Sequence, residues 1–342
     1  MAERATPGSG RVAVGVTLMG VDPPDEFVGL VRAVEHLGYD YMWVTDSSLH
    51  ARCVYVYLTL LATNTSRVRF GPNCTHPYTR HPAVNVVSIA SLAELSGGRA
   101  IMNIGVGGGP VAELGFRKAP VKVVREAVEG MRLLLSGAEI PELQGEAFAL
   151  RRARLQFGAR KDLPIYVTAS GPKMLELAGE VADGVVYEAG VYPAGIRFAL
   201  ERIQRGREAA GRPGEPLDLA CCIFGSVRES RAEAVEECRP AAAWLSTTPY
   251  GELAGLTTKQ VQRIKDSYTA GHFSEAQAAG ALLSDEVVDR LVIAGPPAYW
   301  VERLAELRAL GVDHFEIFPV GKDRFATVRS FGEQVLPKLR PA

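Results

Sequence analysis

A chain of 342 residues, 47% of them hydrophobic and 23% charged, can bury a large core and falls in the size range of one elaborated α/β barrel. Its 38 basic and 39 acidic residues leave a net charge of −1, which argues against nucleic acid or a membrane surface as principal partner and for a small-molecule substrate. Residues 1–10 lack the apolar core of a signal peptide and no later stretch approaches a membrane span, so the cytoplasm is the expected compartment. The cysteines Cys53, Cys74, Cys221, Cys222 and Cys238 lack C-x-x-C spacing and indicate neither a disulfide framework nor a structural metal.

Residues 12–18 form a valine-rich β-run, and Asp22-Pro23-Pro24 behind it reads as an N-cap with prolines for a first helical turn. Phe27, Leu30, Val31, Val34 and Leu37 then recur at helical spacing until Gly38 stops the helix ahead of a strand at 41–44. The same unit repeats as helix 51–63, strand 68–72, helix 82–95, strand 100–105 and a helix near 121–135. Phe148, Leu150, Leu155 and Phe157 alternate with polar residues, which predicts a short hairpin over 145–157 capping the barrel. Strand 165–168, helix 172–181, strand 184–188, a long helix ending at 210 and strand 217–224 follow. The alternation then loosens over 244–283, a length suited to an inserted helical subdomain ahead of the apolar run 287–293. The insertion is placed at about 240–290 of an otherwise single barrel domain. Helix 296–310, strand 315–320 and a closing helix at 324–336 complete the chain. Eight β-runs, each followed by a helix, predict a closed (β/α)8 TIM barrel with insertions rather than an open doubly wound sheet.

In such a barrel the loops after the strands carry function, which directs attention to Asp46 and Ser47, to 73–80, to 103–109, to 170–173 and to Glu188. In the loop after the third strand Pro77, Arg80, His81 and Pro82 read as structural, His-Pro being ordinary helix-start geometry, whereas Thr75, His76 and Tyr78 are candidates for function. Ala169-Ser170-Gly171-Pro172-Lys173 joins a strand to a helix, so free N–H groups and the positive helix end suit a phosphate. The same residues also make a common strand-to-helix turn.

Gly105-Val106-Gly107-Gly108-Gly109-Pro110 fails as a dinucleotide loop, because Pro110 stands at the third glycine position and no helix is expected directly after it. A tight loop that lets a planar ring approach the backbone fits better. Asp46 and Glu188 could each hydrogen-bond a cofactor or substrate; the alternatives are a helix cap for Asp46 and a solvated loop acid for Glu188. His36 and His314 read as structural, and Cys74 has no partner that would mark a nucleophile.

At Tyr41-Met42-Trp43-Val44-Thr45-Asp46, at the segment from Gly71 to Pro82, at Ser96-Gly97-Gly98-Arg99, and at 170–178 with Ala182-Asp183-Gly184, the sequence resembles the bacterial luciferase-like superfamily. Within it, the likeness is to the branch that uses the deazaflavin coenzyme F-420, including methylenetetrahydromethanopterin reductase. The resemblance implies a non-prolyl cis peptide at Asn73–Cys74 whose bulge supports the deazaflavin ring. It also implies that Asp46, Thr75 and Asn103 lie around the ring and that Ser170, Gly171, Pro172 and Lys173 hold the phosphate of the coenzyme tail. The implied chemistry is hydride transfer between the deazaflavin and a stacked small organic substrate, with alignment supplied by the protein.

Two departures bear on the proton donor. Relatives often carry Asp-His after the second strand, where this chain has Asp46-Ser47, and many carry a carboxylate in the first strand, where it has Thr17. His76 and Asp46 are therefore the catalytic candidates. FMN is the alternative cofactor, in a monooxygenase on the same barrel, and a ligand carrier without chemistry is a further reading. The resemblance also implies a homodimer or higher homo-oligomer.

Overall fold

The computed structural model describes residues 11–267 and 276–340. Its strands are β1 Ala13–Leu18, β2 Tyr41–Val44, β3 Arg69–Pro72, β4 Met102–Ile104, β5 Ile140–Gln144, β6 Ala149–Ala153, β7 Ile165–Ala169, β8 Gly184–Tyr187, β9 Asp218–Val227, β10 Ile293–Gly295 and β11 His314–Pro319. Among the described residues eight parallel strands follow the order β3-β2-β1-β11-β9-β8-β7-β4, and single bridges from Phe70 to Ala100 and from Thr75 to Ile104 close β3 onto β4. The predicted (β/α)8 barrel is the observed fold. β10 pairs with the last turn of β9, and β5 with β6 forms an antiparallel hairpin off the barrel.

Helices between the strands bury one face on the barrel. Phe27, Val31 and Val34 do so from helix Pro24–His36, and Val123, Val124, Ala127, Val128 and Met131 from helix Val121–Leu135. No described helix is long and apolar enough to cross a membrane.

Several local expectations are corrected. Asp22 does not cap the first helix: Pro23 occupies that position, and the Asp22 carbonyl instead accepts from the Tyr57 hydroxyl at 2.5 Å. The hairpin starts at Ile140, earlier than its alternating half suggests. A short helix, Gly109–Glu113, does follow Gly108, because Pro110 is well suited to a first turn. Most of the apolar run 287–293 is helical: Ser284 caps helix Asp285–Leu291, and only Ile293–Gly295 is strand. The closing helix is interrupted by a π-turn at Phe331–Val335. Across the expected insertion lie helices Arg231–Ser246, Pro249–Leu253, Thr258–Ser267, Gln277–Gly280 and Asp285–Leu291, while its residues 268–275, like residues 1–10, lie outside the described ones.

The interior of the barrel is unusually polar. At its N-terminal end the Asp218 carboxylate accepts from the Tyr166 hydroxyl at 2.6 Å and pairs with His314 Nδ1 at 2.8 Å, which gives His314 the structural role expected of it. Burial opposes the charge, yet His314, Tyr166 and Arg69 hold this carboxyl down at about 2. One layer higher, Glu316 is fully buried, and its desolvation pushes its pKa well above the usual carboxylate range. Gly15 makes room for it, since a Cβ there would stand 1.9 Å from Glu316 Oε2.

Candidate active site

The top layer of the barrel interior is a directed hydrogen-bond chain. Thr168 Oγ1 donates to Asn103 Oδ1 at 3.0 Å, Asn103 Nδ2 to Asn73 Oδ1 at 2.9 Å, Asn73 Nδ2 to Thr17 Oγ1 at 2.8 Å, and Thr17 Oγ1 to Glu316 Oε1 at 2.8 Å. Every member is supplied by a different strand or strand end, so the chain fixes the turn that leaves β3. That turn contains a cis peptide at Asn73–Cys74, as the resemblance implies. Asn73, Thr75 and Asn103 thus lie beneath the site as its support.

The acidic residue after β2 is committed to ionic contacts. Asp46 Oδ2 accepts from Thr75 Oγ1 at 2.7 Å and from the guanidinium of Arg80, whose plane also lies over the Tyr55 ring. The Asp46 side chain is 3% exposed, which makes Arg80 its essential counter-ion. Arg80 therefore does more than shape the loop. His81, in contrast, acts as the expected cap, its Nδ1 accepting from the Ala83 N–H. His76 is buried with its Nδ1 unpartnered, and burial pushes its imidazole below the usual histidine range. Burial pushes the Cys74 thiol up to about 12, so at neutral pH it is an inert thiol.

Above this platform lies a cavity of about 790 Å³. Its wall includes Asp46, Cys74, His76, Gly105, Ser170, Gly171 and Glu188, which brings together candidates from five separate loops. Ser170 and Gly171 in this wall open onto the N-terminus of helix Pro172–Val181, and Gly105 comes so close to the turn after β3 that a Cβ there would stand 2.7 Å from Cys74 Sγ. Pro172 and Lys173 begin the helix but stay outside the cavity wall, and Lys173 is exposed. Lys118 and Lys265 line it instead, together with Trp244, Thr247 and Thr248 from the helices after β9. Sequence reasoning did not mark these last five, which come from segments without strand-end grammar. Glu316 had one legible sign: a lone acid within the apolar run Phe315-Glu316-Ile317-Phe318.

A barrel with a ligand-sized cavity at the C-terminal ends of its strands defines the class as a barrel enzyme. The chain belongs to the luciferase-like monooxygenase family, whose model matches residues 4–314. It is 34% identical to a 5,10-methylenetetrahydromethanopterin reductase of Archaeoglobus fulgidus over 91% of this chain and 94% of that protein. An F420-dependent glucose-6-phosphate dehydrogenase of Kineococcus radiotolerans is 28% identical over 93% and 94%. Among solved structures, the coenzyme F420-dependent tetrahydromethanopterin reductase of Methanopyrus kandleri superposes with a TM-score of 0.84 at 28% identity, over 96% of this chain and 100% of that one.

Proposed function

We propose that this protein is an oxidoreductase that transfers a hydride between coenzyme F-420 and a small organic substrate. The observation that carries the reading is the cavity itself, whose wall holds Cys74 of the turn after β3 together with Ser170 and Gly171 at the start of helix Pro172–Val181. That is the shape and polarity of a site for a flat ring with an anionic tail. The turn and Gly105 would flank the ring, Asp46 Oδ1 would face it, and Ser170 and Gly171 would hold the phosphate. When bound, the deazaflavin supplies hydride chemistry; the protein orients it, excludes water beneath it and holds the substrate against it.

FMN is the competing cofactor, and the family takes its description from monooxygenases. Equilibrium titration with each cofactor separates the two: tight binding of F-420 with negligible binding of FMN is expected, and tight FMN binding with indifference to F-420 would refute the reading. Methylenetetrahydromethanopterin is the first substrate to test, because two reductases named for it match at 34% and 31% identity.

The same reading includes a homodimer. Helices Val54–Asn64 and Pro82–Leu95 are rich in apolar residues and expose Val56, Val84, Val87 and Leu95 beside the small polar side chains of Thr59, Ser88 and Ser91. We assign that face to a second copy of the chain. Light scattering is expected to give twice the chain mass for the native protein and the monomer mass for Val84→Asp; a native monomer at micromolar concentration would refute the dimer.

A further inference from the structure

Hydride transfer to a polar double bond requires a proton as well, and neither catalytic candidate read from the sequence is arranged to give one. Asp46 Oδ2 is taken up by the Arg80 guanidinium and the Thr75 hydroxyl. Burial disfavours the charged form of His76, and its Nε2 is turned to Thr79 Oγ1 at 3.3 Å. Ser47 stands where relatives often carry histidine, and its hydroxyl is buried without a partner.

Glu188 differs from all of these. It follows β8 directly, its side chain lines the cavity, and among the described residues it has no hydrogen-bond or ion-pair partner at contact distance. Its only backbone anchor of note is its N–H, which donates to the Ala169 carbonyl beside the coenzyme end of the cavity. The charged and titratable groups around it are Lys118 from the loop after β4, Asp46 and His76 across the cavity, Lys265 from helix Thr258–Ser267, and the thiols of Cys74 and Cys222 with the Tyr250 hydroxyl. We propose that Glu188 is the acid–base residue of the site, holding the proton that the substrate gains in reduction or loses in oxidation. This rests on the hydride-transfer reading above.

In the reducing direction the bound, reduced coenzyme would supply the hydride for a new C–H bond at the substrate carbon, itself being oxidised by two electrons. The π electrons move to the attached nitrogen or oxygen, and that atom takes the Glu188 proton, leaving a carboxylate that water reprotonates through the cavity mouth. Desolvation pushes the Glu188 carboxyl up to about 7, with Lys118 opposing it, so both protonation states are populated at neutral pH. Below the ordinary carboxylate range the folded and unfolded chains bind this proton alike. Between about 4.5 and 7 the unfolded chain ionises while the native one does not, so native stability falls as pH rises through that window.

The test is Glu188→Gln. In the protein without coenzyme, the native-minus-variant infrared difference is expected to show one protonated-carboxyl band that persists to about pH 7, the band of the buried Glu316 being common to both proteins. The variant should match the native melting temperature at pH 4.5 and exceed it at pH 8. With F-420 and methylenetetrahydromethanopterin, the variant should bind coenzyme unchanged while kcat falls by about 100-fold or more and its alkaline limb disappears. A carboxylate already ionised at pH 5, or a variant with native kcat and the same alkaline limb, overturns the proposal. Failure of the native protein to bind F-420 overturns the hydride-transfer reading instead, and the infrared and melting results still decide whether Glu188 holds a proton.

Discussion

Gly171→Asp is expected to leave the fold at least as stable as the native protein while weakening F-420 binding by about 100-fold or more. Gly171 is the cap residue of helix Pro172–Val181, with φ −80° and ψ 151°, a conformation open to any residue. A Cβ built there meets no heavy atom within 4 Å, so the new side chain fits. Aspartate is also a better cap than glycine by a few tenths of a kcal/mol, because its carboxylate accepts from the first free N–H groups. That same carboxylate then occupies the position assigned to the coenzyme phosphate. Two like charges about 4 Å apart near a protein surface repel by roughly 4 kcal/mol, against 1.4 kcal/mol for each tenfold in affinity. Thermal unfolding and a coenzyme titration on one sample read the two effects with opposite signs. Unchanged affinity would mean that the phosphate binds elsewhere.

The second large effect is expected from Arg80→Met. Removing the guanidinium leaves the nearly buried Asp46 carboxylate with Thr75 Oγ1 as its remaining hydrogen-bond donor among the described residues. Breaking a buried pair from one side costs about 3 kcal/mol or more, most of it the penalty of an uncompensated charge. The double variant Asp46→Asn with Arg80→Met removes both charges and should recover most of that loss, a coupling that denaturant unfolding measures directly. If the single variant lost less than about 0.5 kcal/mol, the pair would be no more than a surface contact. Coenzyme affinity should fall in both variants, because Asp46 can no longer be held toward the ring.

The barrel was legible because its signals are local and repeated. Short apolar β-runs, each followed by a helical stretch, specify a βα unit wherever they occur, and eight of them leave closure as the natural solution. Much of the site was legible for the same reason, since Asp46, Cys74, His76, Gly105, Ser170, Gly171 and Glu188 all stand just beyond strands. The chemical state of these residues was not legible. Asp46 is paired because Arg80, 34 positions away, reaches it, and the Glu188 carboxyl is pushed up to about 7 because desolvation opposes its charge. The bond between Thr17 and Glu316 spans 299 positions and depends on β1 lying beside β11, a consequence of closure that no local pattern encodes. Lys118 reaches the cavity from a loop and Lys265 from helix Thr258–Ser267, placements that likewise depend on the closed fold.

Where the coenzyme lies decides every role assigned to these residues, and a crystal structure of the protein with F-420 bound tests that most directly. The deazaflavin ring is expected against the turn at 73–75 and Gly105, with the phosphate on the N–H groups at Ser170 and Gly171 and the Glu188 carboxyl facing the substrate side. A coenzyme seated instead in the separate cleft lined by Met19, Leu30, Arg324 and Phe325 would contradict it.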